Sequence, residues 1–362
     1  MVGDIEMSKF LLIGDLHFGE KSNSEKYNKQ VLDFIDWVCG VGEENGVDGV
    51  VQLGDYFHTR HKIDVSTLNY GLQGAERLSA TFSKENVCVI IGNHDLYYLE
   101  RLDMSSVNSL KHHVTVVSNV SDIAEINPSY KKGEVLLTPW IVDAEMWDDV
   151  VNKSAEYPYI MGHFEFQGFV LNEGYAVEHG WTHKSLKRAK RVISGHYHSP
   201  QEKDNVLYAG TPYPITMNEA NEEHGVYILD TDTGDIEFIR YDGVKVISIP
   251  YDQFDEDLVE ALDPENTSIR IEFPDDLDDE TIIDDFKDVL SSMKFNDVKI
   301  KHTSKAVTKI LEADVGEVES VENVDEVVMK FLTDAVDIDG VDKEILTKYY
   351  LEAKKRGEEE ND

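Results

Sequence analysis

Five times in this chain a short apolar run ends in glycine, and the next residue is one that can bind a metal: Gly14-Asp15, Gly54-Asp55, Gly92-Asn93, Gly162-His163 and Gly195-His196. The preceding runs, Phe10 to Ile13, Val50 to Leu53, Val87 to Ile91, Tyr159 to Met161 and Val192 to Ser194, are partly β-branched, as strands covered on both faces should be. Each strand is therefore expected to deliver a donor at its carboxyl end. In open sheets that edge is where ligands bind, and glycine there permits a sharp turn.

Helical patterns lie between these strands. Val31, Leu32, Ile35 and Val38 share one face of a segment beginning near Ser24, and Leu68, Leu72, Ala75 and Leu78 share one face of a segment opened by Asp64 or Ser66. Alternating strand and helix predicts an α/β layered domain. After the loop Gly210-Thr211-Pro212 comes a strand-rich stretch from Gly225 to Ile249 with a hairpin signal at Thr231-Asp232-Thr233-Gly234, and the domain is expected to close near Asp242. Beyond it, Ile269, Ile271 and Phe273 alternate as a strand, Ile282 to Leu290 reads as an amphipathic helix, and Val298 with Ile300 starts another alternation, which together predict a small β-α-β module. Glu312 to Asn323 has the composition of an acidic linker. Two further apolar stripes follow, Val324, Val327, Val328, Phe331 and Ala335, then Ile345, Leu346, Tyr349 and Tyr350. The expected organisation is a tail (1–8), a large α/β domain (9–243), the small β-α-β module (244–311), the linker (312–323), a helical segment (324–356) and a solvated tail (357–362).

Charge constrains the partners. With 72 acidic against 34 basic side chains the formal net charge is -38, which opposes holding a polyanion on the chain's own surface. The segment Asp252 to Asp288 alone has 16 acidic and 2 basic residues. The two cysteines, Cys39 and Cys88, fall in separate core elements and read as buried thiols of a reducing compartment. Met1 to Ser8 lacks the basic and apolar regions of a signal peptide and no run is long enough to span a bilayer, so a soluble cytoplasmic protein with no membrane contact is expected.

The chemistry comes from the donors taken together. Asp15 and His17 lie two apart on a loop leaving a strand, and Gly195-His196-Tyr197-His198 repeats that spacing with two imidazoles. Asp55, Asn93 and His163 add three single donors, making seven of the oxygen and imidazole type, a set that suits manganese, iron or zinc better than magnesium or a thiolate metal. One cation cannot use all seven. If one carboxylate bridges two ions, each gains four protein ligands and keeps open positions for water and substrate, the arrangement used for in-line displacement at phosphorus. Singly, each motif has a bland reading: a loop acid and surface histidine, a satisfied core imidazole, a turn-forming Asn93 or Asp95. Five such junctions at five strand ends outweigh those readings.

In this order, Asp15-x-His17, Gly54-Asp55, Gly92-Asn93-His94-Asp95, Gly162-His163 and Gly195-His196-x-His198 resemble the calcineurin-like metallophosphoesterases. Within that superfamily the chain is most similar to the SbcD-type DNA repair nucleases, above all their T-even-phage recombination branch, through Gly162 to Phe169, the Gly210-Thr211-Pro212 loop, the capping module and the final helix pair. The resemblance implies a layered β-sandwich flanked by helices, with a small α+β cap and a C-terminal helix pair. It implies two Mn²⁺, with Mg²⁺ or another divalent ion as alternatives. Asp15, His17 and His198 would hold the first and Asn93, His163 and His196 the second, with Asp55 bridging. His94 would face the phosphate as a catalytic histidine. Where generic members read Gly-Asp-x-x-Asp-Arg, this chain has Gly54-Asp55-Tyr56-Phe57-His58-Thr59-Arg60, so His58 replaces the acid that steadies the catalytic histidine. Histidine there occurs in nuclease members, which favours nucleic acid over phosphoprotein and makes His58 a second catalytic candidate; what orients His94 is left open.

Arg60 and the basic run His183 to Arg191, with Lys184, Lys187 and Arg188, are candidates to contact substrate phosphate, against the plain reading of solvated side chains. The resemblance further implies DNA as substrate, a homodimer, and assembly with an SbcC-like, SMC-type ATPase into a heterotetramer. Phe331, Leu332, Leu346, Tyr349 and Tyr350 would then dock on the partner's coiled coil. Three functions stand at this point: a metal-dependent DNA exonuclease and endonuclease subunit, a phosphatase or phosphodiesterase acting on a small molecule or phosphoprotein, and a non-catalytic scaffold.

Overall fold

The computed structural model describes residues 7–170, 176–274, 286, 289–290 and 292–303. The apolar runs become strands: β1 (Lys9–Ile13), β2 (Gly49–Gln52), β3 (Val87–Ile90), β4 (Thr115–Val117), β5 (Ser121–Asp122), β6 (Val135–Thr138), β7 (Tyr159–His163), β8 (Arg191–Gly195), β9 (Gln201–Lys203), β10 (Val206–Tyr208), β11 (Gly225–Asp230) and β12 (Ile236–Arg240). They form two six-stranded sheets, ordered β12-β11-β1-β2-β3-β4 and β5-β6-β7-β8-β10-β9. The ligand-bearing strands thus divide between sheets, β1, β2 and β3 in one and β7 and β8 in the other. Within each sheet they run parallel, so their carboxyl ends share an edge.

Period-2 alternation explains the layering. Phe10, Leu12, Val51, Leu53, Cys88 and Ile90 face the second sheet, where Val135, Leu137, Tyr159, Met161, Ile193 and Leu207 meet them. The alternate residues Leu11, Ile13, Val50, Val87 and Val89 face the helices instead, packing on Val31, Ile35, Val38, Ala75 and Leu78. The outer face of the second sheet, Leu136, Ile160, Val192, Val206 and Tyr208, is covered by Trp147, Val150, Phe164 and Phe166. The helix Glu25–Asn45 begins at Ser24, whose Oγ accepts the Tyr27 N–H, and the helix Val65–Phe82 begins after Asp64.

Two details depart from expectation. Strands β7 and β8 do not stop before their glycines; β7 continues through His163 and β8 through Gly195, because the two pair with each other to the last residue. Met7 and Ser8, read as part of a tail, are tied down: Met7 N–H donates to the Ser129 carbonyl at 3.1 Å and Ser8 N–H to Asp48 Oδ2 at 2.8 Å.

After β12 a third sheet, β13 (Lys245–Pro250), β14 (Thr267–Pro274) and β15 (Asp297–Thr303), buries Ile269, Ile271 and Phe273 against Val259 and Leu290. Most of the helix expected over 282–290 lies outside the described residues. So do the linker at 312–323, the helix pair at 324–356 with Phe331, Leu332, Leu346, Tyr349 and Tyr350, and the tail at 357–362. Both cysteines are free, Cys88 buried between the sheets. Among the described residues no helix is long and apolar enough to cross a membrane.

Leu12 is fully buried in the layer between the sheets, on the strand that leads to Asp15. Leu12→Ala is expected to destabilise the fold by about 2–5 kcal/mol through lost transfer energy and the cavity left behind, read as a lower denaturation midpoint in urea.

Candidate metal centre

The strand ends reach one cleft because the chain accepts unfavourable backbone at three donors. His17, Asp55 and His196 have φ of 50°, 53° and 92°. Each such residue costs on the order of 1–2 kcal/mol relative to ordinary backbone, a strain found where the surroundings over-determine a site. Gly54 has φ 105°, and a Cβ on it would strike the His163 ring, so the turn that presents Asp55 requires glycine.

All seven expected donors converge. His17 Nε2 lies 3.2 Å from His198 Nε2, 4.0 Å from Asp15 Oδ2 and 3.9 Å from Asp55 Oδ2. His163 Nε2 lies 3.4 Å from Asp55 Oδ2 and 2.9 Å from Asn93 Oδ1, which is also 3.0 Å from His196 Nδ1. Two triads result, Asp15-His17-His198 and Asp55-His163-His196, each offering ligand atoms within 4.8 Å of one another. Asp15, His17, Asp55, Asn93 and His163 are buried, whereas His196 and His198 are half-buried at the mouth.

A surrounding layer fixes these rings, and most of it carried no spacing signal in the sequence. His163 Nδ1 donates to the Leu53 carbonyl at 2.8 Å, which turns Nε2 toward the cleft. His198 Nδ1 lies 3.2 Å from Glu219 Oε1, which turns its Nε2 toward His17. Glu219, from a short turn after the Gly210-Thr211-Pro212 loop, is itself anchored by the Ile215 N–H at 2.6 Å. Glu165 Oε1 stands 3.6 Å from His196 Nε2, and the Trp140 ring packs 5.3 Å from that of His196. Asp95, which taken alone in the sequence reads as a turn former or helix cap, is a fully buried acid. It accepts the N–H groups of Gly92, Tyr56 and Phe57 and so ties the loop after β2 to the loop after β3.

The electrostatics fit a cation. Burial pushes the Asp15 carboxyl up to about 7, with His163 opposing and Asp55 adding to the rise. Burial acts on Asp55 as well, but His163, His94 and His17 outweigh it and hold it well below the usual carboxylate range. Burial would lower His163, yet Asp55 and Asp15 lift it to about 9, while burial takes His17 well below its ordinary value. Left to itself the cleft balances a proton on one carboxyl against a charge on one imidazole, a balance that divalent cations would supply directly. His17 Nδ1 is buried without a hydrogen-bond partner, and its Nε2 faces the His198 nitrogen, a pair of ring nitrogens suited to a shared cation. Oxygen and imidazole donors with no thiolate match manganese, iron or zinc.

His94 lies at the edge of this cluster. Its backbone N–H donates to Asp55 Oδ1 at 2.8 Å and its Nδ1 donates to the His58 carbonyl at 2.7 Å, so a backbone oxygen orients the imidazole that an aspartate steadies elsewhere in the superfamily. The His58 ring stacks on His94 at 5.4 Å, and His17, His58 and His94 each place a nitrogen within 4.8 Å of the others. Arg60 is partly exposed two residues further along this loop. Of the basic run, Arg191 is not brought to the cleft. Arg191 opens β8 at the edge opposite the donors, about 13 Å from Gly195 along the strand, and is paired with Glu202. Lys184, Lys187 and Arg188 are exposed on the turn before it.

The calcineurin-like phosphoesterase profile matches residues 8–200, the span that holds every donor described above. The chain is 27% identical over 360 residues to exonuclease subunit 1 of Enterobacteria phage T4, a match covering 95% of this chain and 99% of that protein. A dimetal phosphatase from Danio rerio aligns in structure over 62% of this chain and 93% of its own, at 14% identity and a TM-score of 0.41. With more than half its length matched, and with the donor set assembled at the carboxyl edges of both sheets, the chain belongs to the calcineurin-like phosphoesterase family.

Proposed function

We propose that this protein is the nuclease subunit of an SbcCD-like DNA recombination and end-processing complex, hydrolysing phosphodiester bonds at a pair of divalent cations, Mn²⁺ foremost. What carries the reading is the convergence of seven donors in one cleft of a chain that parallels the T4 exonuclease subunit over 95% of its length. Asp15, His17 and His198 would hold one ion and Asn93, His163 and His196 the other. Asp55 lies between them, its Oδ2 reaching toward both His17 and His163. Bound there, the ions supply Lewis acidity and a water that loses its proton near neutral pH.

The chain's own residues do the rest. His94, with Nδ1 fixed on the His58 carbonyl, presents Nε2 to a phosphate lying over the cleft, where it donates to the developing charge or to the leaving oxygen. His58, stacked against it, adds a second imidazole on the same side. Trp140 walls the second triad and limits water on that flank. A net charge of -38 leaves the chain poorly suited to grip DNA alone, which supports a partner that brings the polyanion to the cleft. That partner is an SMC-type ATPase docked through residues 324–356, with the nuclease chain paired as a homodimer in a heterotetramer.

Incubated with Mn²⁺, the purified chain is expected to cleave single-stranded DNA and duplex ends while turning over an aryl phosphate monoester slowly; strong monoester hydrolysis with intact DNA would replace this reading with a phosphatase. His94→Ala should lower kcat for DNA cleavage by about a hundredfold or more with bound metal near normal by elemental analysis. Loss of metal in that variant would contradict the role given to His94. Deleting residues 324–362 should abolish co-purification with the ATPase and spare basal Mn²⁺-dependent cleavage, and retained co-purification would refute the docking segment.

A further inference from the structure

Between His17 and the helix Glu25–Asn45 the chain makes an unusual turn. Gly19, Lys21, Ser22 and Asn23 have φ of 94°, 53°, 59° and 59°, three of them not glycine. Such a run costs several kcal/mol at roughly 1–2 kcal/mol per non-glycine residue, so something must hold it. A buried polar network does: Gly19 N–H donates to Asn28 Oδ1 at 2.9 Å, Asn28 Nδ2 to Thr67 Oγ1 at 3.2 Å, and the Thr67 hydroxyl to Asn23 Oδ1 at 2.9 Å. A Cβ at Gly19 would sit 2.8 Å from Thr67 Cγ2, so the turn admits only glycine there.

The product of this turn is the placement of Glu20. Its Oε2 lies 2.6 Å from His58 Nδ1, and both side chains are half-buried. His58 meets His94 twice, by ring stacking and by its carbonyl accepting from His94 Nδ1. His94 Nδ1 is taken up by that carbonyl and His58 Nδ1 stands beside the Glu20 carboxylate, and both rings lie against His17. We infer that Glu20 is a positioning residue for His58: it keeps the proton on Nδ1, fixes the ring against His94, and directs Nε2 to the place where the substrate phosphate binds. The inference rests on the reading of His58 as a substrate-facing group. Glu20, 38 positions away in the chain, thus acts on His94 only through His58, which stands where the superfamily pattern has an acid.

The test uses the full-length chain. In the Zn²⁺-loaded protein with ¹⁵N-labelled histidine, the His58 resonances, identified by their loss in His58→Ala, should show the proton on Nδ1 in wild type and in Glu20→Gln, whose carbonyl accepts the same bond. Glu20→Ala should give averaged tautomers; an unchanged pattern there overturns the inference without any activity measurement. In Mn²⁺, Glu20→Ala should lower kcat on DNA and on bis(4-nitrophenyl) phosphate by roughly ten- to a hundredfold with KM and metal content unchanged. Glu20→Gln should recover most of that loss. Adding Glu20→Ala to His58→Ala should cost nothing further, whereas an equal loss in both backgrounds, or loss of metal, overturns the inference. Should the wild type cleave the aryl diester but not DNA, the nuclease reading falls while the ¹⁵N and diester measurements still decide the role of Glu20.

Discussion

Asp55 stands between the two donor triads and contacts both. Its carboxyl is buried, in left-handed backbone, and is held below the usual carboxylate range by His163, His94 and His17, with the His94 N–H on one oxygen and the rings of His17 and His163 around the other. Burying a charge there is tolerable only because neighbours compensate it, and every compensating group arrives from a different strand end. The arrangement of the two sheets is therefore tied to the site: their inner faces meet through Leu12, Leu53, Met161 and Ile193, and that contact brings His163 of one sheet to Asp55 of the other.

Much of this was legible in the sequence for a physical reason. Donors placed directly after buried strands are constrained by the strand itself, so Gly54-Asp55 or Gly195-His196 announces both an element and a direction. The helix faces at Val31 to Val38 and at Ala75 to Leu78 were legible because burial follows the helical period. What alternation does not encode is which sheet a strand joins, and the split of β1, β2 and β3 from β7 and β8 appears only in the pairing.

The supporting carboxylates were opaque for a different reason. Glu20, Glu165 and Glu219 stand in loops amid 72 acidic residues, with no periodicity and no fixed spacing to the imidazoles they touch. Their roles arise from tertiary placement, a strained turn in one case and the loop after Gly210 in another. Arg191 shows the converse limit: it opens a ligand-bearing strand, yet lies at the end of β8 opposite the donors.

The seven donors run from position 15 to position 198, and neither sheet holds a complete set. A nascent chain on the ribosome therefore has no cleft to load until the second sheet has emerged and closed on the first, and a proteolytic fragment that loses either sheet cannot keep half the chemistry. The seven donors can meet only when both sheets are in place.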